Sequence, residues 1–178
     1  MKWRKNLVGN LTGAVLEIGV GRGENLPYYA PSVQVWAIEP DPTRAAQAQQ
    51  VAATCRPAIT VDVTGAESLP YADHTFDHVV SSLVFCSVAN PRVALAEIRR
   101  VLKPQGTLHM VEHIRPETQW LATLFRLLTP RWRQIAHNCH LDRPTLQLLQ
   151  GAGATVTVRR RIFMFVRLEV TFPAIGGK

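Results

Sequence analysis

At 178 residues the chain is long enough for one domain with a core that needs no disulfide or metal support, and a 47% hydrophobic content argues against long disorder. No uninterrupted apolar run approaches the roughly 18 residues that would span a bilayer, and three scattered cysteines, Cys55, Cys86 and Cys139, argue against a disulfide framework. The net charge of +7 is uneven: residues 1–114 carry 10 Lys+Arg and 10 Asp+Glu, while residues 115–178 carry 10 and 3. Such a basic third suits nucleic acid, an anionic membrane surface or an acidic substrate. It suits equally well a coat of solvated arginines that maintains solubility.

Met1-Lys2-Trp3-Arg4-Lys5-Asn6 starts like a basic signal n-region, but Leu7 to Leu16 holds Gly9, Asn10, Thr12 and Gly13 instead of an apolar h-region. A cytoplasmic protein is expected. Ala14 to Ile18 reads as a buried first strand stopped by Gly19, and Val33 to Ile38 as a second ended by Glu39-Pro40. A helix over Thr43 to Thr54 follows, with Asp41 or Pro42 at its start. Ile59 to Val63 is a third strand and His78 to Ser82 lies in a fourth. Asn90 caps a helix with Pro91 at its first position, Val93, Leu95, Ile98, Val101 and Leu102 mostly on one face, and Lys103 to Gly106 at its end. Thr107 to Ile114 is a fifth strand. A basic amphipathic segment runs from Glu117 to Ala136, interrupted by Pro130, and a short helix spans Pro144 to Gln150. Thr155 to Phe163 and Val166 to Phe172 then form a hairpin. Strands alternating with helices predict an α/β fold, a Rossmann-like doubly wound sheet of seven mostly parallel strands with an antiparallel last strand, in a single domain.

The sharpest local signal is Glu17-Ile18-Gly19-Val20-Gly21-Arg22-Gly23-Glu24-Asn25, a strand entering Gly-x-Gly-x-Gly and then, on this pattern, a helix. Glycines let the chain turn sharply and bring backbone N–H groups close to a polar ligand. About twenty residues past Gly19, Glu39 ends the second strand, where a carboxylate can accept both hydroxyls of a ribose. A dinucleotide enzyme would require GxGxxG or GxGxxA, and Glu24 at the third position is a poor neighbour for a pyrophosphate. The spacing suits a ribose with a small zwitterionic tail. A tight glycine turn with no ligand is the plain alternative.

Val15 to Gly23 resembles the first motif of the class I S-adenosylmethionine-dependent methyltransferases. Ala66-Glu67-Ser68-Leu69-Pro70-Tyr71-Ala72-Asp73-His74-Thr75-Phe76-Asp77-His78-Val79 is similar to their AExLPFxDxxFDxV segment, and Leu95 to Gly106 to the helix and turn before their fifth strand. The resemblance covers residues 14–114. Beyond it, Glu112-His113, Trp132 and Asn138 to Arg143 resemble the C-terminal part of membrane-associated thiol methyltransferases and their bacterial relatives. Ubiquinone-type and phospholipid N-methyltransferases share the core equally well. The resemblance implies a single methyltransferase domain over 1–178: a short N-terminal segment (1–13), a cofactor-binding core (14–114), and an acceptor-side lid helix with a C-terminal hairpin (115–178).

By the same resemblance the cofactor is S-adenosyl-L-methionine and the product S-adenosyl-L-homocysteine. Gly19, Gly21 and Gly23 should pass under the methionyl part, with Glu17 setting the loop. Glu39 should hold the ribose and Pro40 pack on the adenine. Ala66 and Glu67 should lie along the adenine edge, and Ser82 and Leu83 should line the methionyl pocket. Gly65 stands where many relatives have an Asp bonded to the adenine amino group, so a backbone group or Glu67 would have to replace it. The N-terminus is another departure, because relatives often place lid helices there. The acceptor pocket is therefore open, closed by a partner subunit, or covered by Trp120 to Ile135.

In-line methyl displacement needs mainly alignment, and a base only where the acceptor carries a proton. Glu112, His113, His137 and His140 stand at the expected mouth, each read as a positioning or surface residue before a base. His137, Cys139 and His140, with His109 and His113 upstream, match no zinc spacing, so no metal is expected. Cys139 is read as a small buried residue. Trp120, Leu121, Leu124, Phe125 and Leu128, near Arg126, Arg131 and Arg133, suit a lid helix or, more sharply, peripheral membrane contact through segment 117–136. Arg159-Arg160-Arg161 on a strand places at least one arginine toward the core face or near an edge. The expected partner is a small, apolar acceptor such as a thiol, amine or lipid-like molecule, with no nucleic acid. A non-catalytic S-adenosylmethionine-binding scaffold and an RNA methyltransferase are the alternatives.

Overall fold

The structure is a computed structural model that describes residues 2–116, 118–136 and 138–173. Five strands are parallel: β1 (Ala14–Ile18), β2 (Gln34–Ile38), β3 (Ile59–Asp62), β4 (Phe76–Ser82) and β5 (Leu102–His113). The hairpin β6 (Thr155–Ile162) and β7 (Phe165–Thr171) completes one seven-stranded sheet in the order β3-β2-β1-β4-β5-β7-β6. β7 runs antiparallel between β5 and β6, as the hairpin pattern predicts.

Helices cover both faces, which is why β1 has four consecutive buried residues and no clean alternation. On one face α1 (Lys2–Val8) and α2 (Pro42–Ala52) press Leu7, Val8, Ala45 and Ala48 onto Val15, Val35, Ala37 and Val80. On the other, α3 (Pro91–Val101) and α5 (Thr145–Gly151) press Ala94, Leu95, Ile98 and Leu149 onto Leu16, Phe76, Val79 and Met110. Asp41 caps α2 by accepting from the Thr43 and Arg44 amides, and Asn90 caps α3 by accepting from Val93. α4 (Gln119–Ile135) lies outside these layers and buries only Ala122 and Thr129.

Several expectations need correction. No α-helix follows the glycine loop; only a 3-10 turn at Leu26–Tyr28 forms there. Pro27 and Pro31 explain this, because Pro31 would sit inside such a helix without an amide donor and against the carbonyl four residues back. The N-terminal segment is itself helical, as α1. β5 starts at Leu102, paired with Phe76, and absorbs the Lys103–Gly106 turn through an irregularity before Thr107 pairs with His78. Pro130 does not interrupt α4, in which the Thr129 hydroxyl donates to the Phe125 carbonyl.

The motifs beyond the glycine loop hold the frame together. Asp77 accepts from the Ala14 amide at 2.9 Å and pairs with Lys103 at 2.8 Å, joining the start of β1 to the start of β5. Glu97 accepts from the Leu69 amide, while Arg100 donates to the Leu69 and Tyr71 carbonyls and to Asp73. The Ala66–Val79 and Leu95–Gly106 motifs are thus bonded to each other.

Candidate functional site

Where β1, β2 and β4 end, the sheet opens into a cleft of about 560 Å³. Gly19 has φ +61°, and a Cβ there would stand 2.5 Å from a Val84 methyl, so no other residue fits this bend. Gly21, at φ +62°, turns its amide to Glu39 and donates to Oε2 at 3.0 Å. Glu39 is 2% exposed. Its other oxygen accepts from the Asp41 amide at 3.2 Å and meets the Arg44 guanidinium at 2.7 Å. The bend and the carboxylate are therefore joined directly, with open space beside them.

Glu17 lies beneath the loop and not in the cleft. Fully buried, it accepts from Asn25 Nδ2 at 2.7 Å and from the Tyr29 hydroxyl at 2.9 Å. Burial pushes its carboxyl up to about 7 against those hydrogen bonds. Arg4 of α1 donates to Asn25 and reaches the cleft wall, a contact with no local signature in the sequence. Gly23 also misses the cleft and packs on α2, where a Cβ would lie 3.2 Å from that of Val51.

The facing wall carries Pro40, Ala66, Glu67, Ser82 and Leu83, together with Gly65, Val84 and Ser87 to Ala89, which sequence reasoning did not single out as site residues except for the Gly65 departure. Glu67 Oε1 accepts from the Ala89 and Asn90 amides at 3.0 and 3.1 Å, tying this wall to the start of α3. Its Oε2 lies 3.1 Å from where a Gly65 Cβ would stand. Leu83, with φ +59°, also lines an adjoining apolar pocket of about 340 Å³ with Trp3, Val111, Ile162, Phe165 and Arg160. α1 and the hairpin shape that pocket, and α4 lines neither it nor the cleft.

Of the candidate bases, Glu112, His113 and His140 do not line the cleft. Glu112 is fully buried and one oxygen accepts from Ser81 Oγ and the Val84 and Phe85 amides, at 3.2, 2.9 and 3.0 Å. It anchors the turn after β4, and burial raises its pKa. His113 Nε2 lies 3.0 Å from Cys139 Sγ. Burial works against the His113 cation, but the hydrogen bond and charge of Cys139 together with the charge of Glu112 leave the imidazole above its ordinary value. Hydrogen bonds from Cys86, His113 and Trp132 lower the Cys139 thiol, while the Cys86 thiol is raised. His140 is half-buried and its amide donates to the Cys86 carbonyl; His137 lies outside the described residues. His109 is paired instead with His78 at 3.2 Å. Arg159 pairs with Glu169 on the outer strand β6, and Arg160 edges the apolar pocket.

The sequence profile of the methyltransferase domain family matches residues 16–110. Thiol S-methyltransferase TMT1B of Rattus norvegicus is 35% identical over 78% of this chain and 58% of its own length. The Homo sapiens protein of the same name is 34% identical over 82% of this chain and 63% of its own. The chain thus spans about three-fifths of the length of these curated relatives. Among solved structures, protein BH2331 of Bacillus halodurans C-125 superposes with a TM-score of 0.76 at 16% identity, covering 97% of this chain and 98% of that one, and shares the fold. With this match across more than half of its residues, and the glycine bend joined to Glu39 at the strand tips, the chain belongs to the methyltransferase domain family.

Proposed function

We propose that the chain is an S-adenosylmethionine-dependent methyltransferase acting on a small apolar acceptor, and that the acceptor atom is a thiol sulfur. The observation that carries the first part is the Gly21 to Glu39 hydrogen bond at the edge of an open cleft. A side chain at Gly19 would fill that bend, and the mixed charges of the lining, Glu24, Glu39 and Glu67 with Arg4, Arg22 and Arg44, fit a nucleoside with a zwitterionic tail. When bound, S-adenosylmethionine supplies a sulfonium-activated methyl group. Glu39 would accept the ribose hydroxyls, Gly19 and Gly21 would pass under the methionyl part, and Arg4 would face its carboxylate. Pro40 and Ala66 would flank the adenine, with Glu67 Oε2 beside Gly65 as acceptor for the amino group. Ser82 and Leu83 would line the methionyl end, while Glu17 and Gly23 act through the loop they hold.

The apolar pocket sharing Leu83 supports an apolar acceptor, and the curated relatives' name supports a thiol. In the transfer, the acceptor sulfur forms a bond to the methyl carbon as the sulfonium bond breaks, and the thiol proton passes to solvent or a base. A radiolabelled methyl donor with a panel of thiols, amines and quinols tests this. Thiol-dependent S-adenosylhomocysteine release supports the full reading. Release with amines or quinols alone keeps methyl transfer and removes the thiol, and binding without release under any acceptor leaves a scaffold. Nucleic acid is not proposed as a partner.

A peripheral membrane contact is a second reading, favoured by α4. Trp120, Leu124, Leu127, Leu128, Trp132 and Ile135 are exposed on it, beside Arg126, Arg131 and Arg133. No helix among the described residues is long and apolar enough to cross a membrane.

A further inference from the structure

Behind the cleft wall, three side chains converge that methyl transfer does not use. One ligand atom each from Cys86, His113 and Cys139 lies within 4.8 Å of the others. Donors about 2.0–2.3 Å from a tetrahedral zinc ion stand roughly 3.3–3.8 Å apart, so small side-chain movements would close the three on an ion. They come from three separate elements: the turn after β4, the end of β5 and the loop after α4.

Hydrogen bonds hold those elements in place. Asn138 Nδ2 donates to the Ser87 carbonyl at 3.0 Å and the His140 amide to the Cys86 carbonyl at 2.8 Å. Arg143 donates to the carbonyls of Phe85 and Val88, and Glu112 receives the Val84 and Phe85 amides from below. Cys86 and His113 are buried and Cys139 half-buried, so the donors are shielded without being sealed off. A site whose backbone is tied on both sides of its donors binds without much ordering of the chain.

We propose that Cys86, His113 and Cys139 form a binding site for a zinc-class divalent ion. Two sulfurs and an imidazole select such an ion over magnesium or calcium, which prefer oxygen donors. The sulfurs bind as thiolates, any protons they carry leave to solvent, and the imidazole binds neutral, so the ion and its three donors have no net charge. Three protein donors among the described residues leave a fourth position for water. The buried Glu112 and the half-buried Arg143 both lie close enough to Cys86 to interact with it electrostatically.

The test uses the full chain, reduced and stripped with a chelator, then titrated with cobalt(II) and zinc(II). The expected result is sulfur-to-cobalt charge-transfer absorption saturating at one equivalent and erased by one equivalent of zinc. Cys55→Ser leaves it unchanged. Cys86→Ser and Cys139→Ser each weaken zinc binding by more than ~100-fold, beyond the loss from an outer-shell partner. Absence of the absorption in the unaltered reduced chain overturns the proposal without relying on any variant. So does absorption that survives in the folded double variant, or a Cys86–Cys139 disulfide whose reduced form takes up no metal. Binding of S-adenosylhomocysteine, measured on the same samples, reports separately on the methyl-transfer reading.

Discussion

The tips of β1 and β2 and the tips of β4 and β5 build their surroundings in different ways. At the first pair the site is made of backbone: a glycine bend whose amide meets a carboxylate at the end of the neighbouring strand. At the second it is made of side chains brought from far along the chain. Glu112 holds amides 27 and 28 residues away, and Arg143 reaches a carbonyl 58 residues away. A backbone site can be broken by adding one carbon atom. A side-chain site breaks when a buried polar group loses its partner.

The sharpest contrast comes from Gly19→Val, which places a branched side chain against Val84 at positive φ. Calorimetry should show no nucleoside binding, and the backbone strain should remove about 1–3 kcal/mol of stability. Glu112→Ala, at the other end, should leave the Val84 and Phe85 amides unpaired and lower stability by about 3 kcal/mol in urea unfolding.

Glu17 gives a pH signature to the first end. Its folded-state pKa of about 7 exceeds the ordinary 4.5, so the folded chain binds the proton more tightly than the unfolded one. Stability from this group is complete below pH 4.5 and lost as pH rises to about 7, by roughly 3 kcal/mol. Glu17→Gln should flatten the curve over that window in thermal or urea unfolding. Glu39→Gln should weaken S-adenosylhomocysteine binding by about 10–100-fold, the worth of hydrogen bonds to a charged group. The smallest effect belongs to α4, where Leu127→Ser and Trp120→Ser should leave nucleoside binding unchanged. Both should reduce cosedimentation with vesicles rich in anionic phospholipid, at the level of about 1 kcal/mol or less per side chain.

The sheet was legible because central strands such as β1 are buried on both faces and the connecting motifs carry the frame. Asp77, Glu97 and Arg100 are local, type-specific residues, and each makes a long-range backbone bond. The glycine bend and Glu39 were legible for the same reason, since backbone geometry demands those residue types. The helix expected after the loop was a misreading of Pro27 and Pro31, which were visible in the chain. α1 was not legible: seven residues with three basic side chains show no cap, and burial of Leu7 and Val8 makes the helix. Nor could sequence spacing bring Cys86, His113 and Cys139 together, because that meeting depends on how the loop after α4 folds back onto the turn after β4.

Titration calorimetry of the unaltered chain with S-adenosylhomocysteine is the most direct test of the nucleoside cleft. One molecule should bind per chain, and Glu39→Gln should lower the affinity without changing the stoichiometry. Full-affinity binding in the Glu39→Gln chain, or no heat at all from the folded wild type, would contradict it.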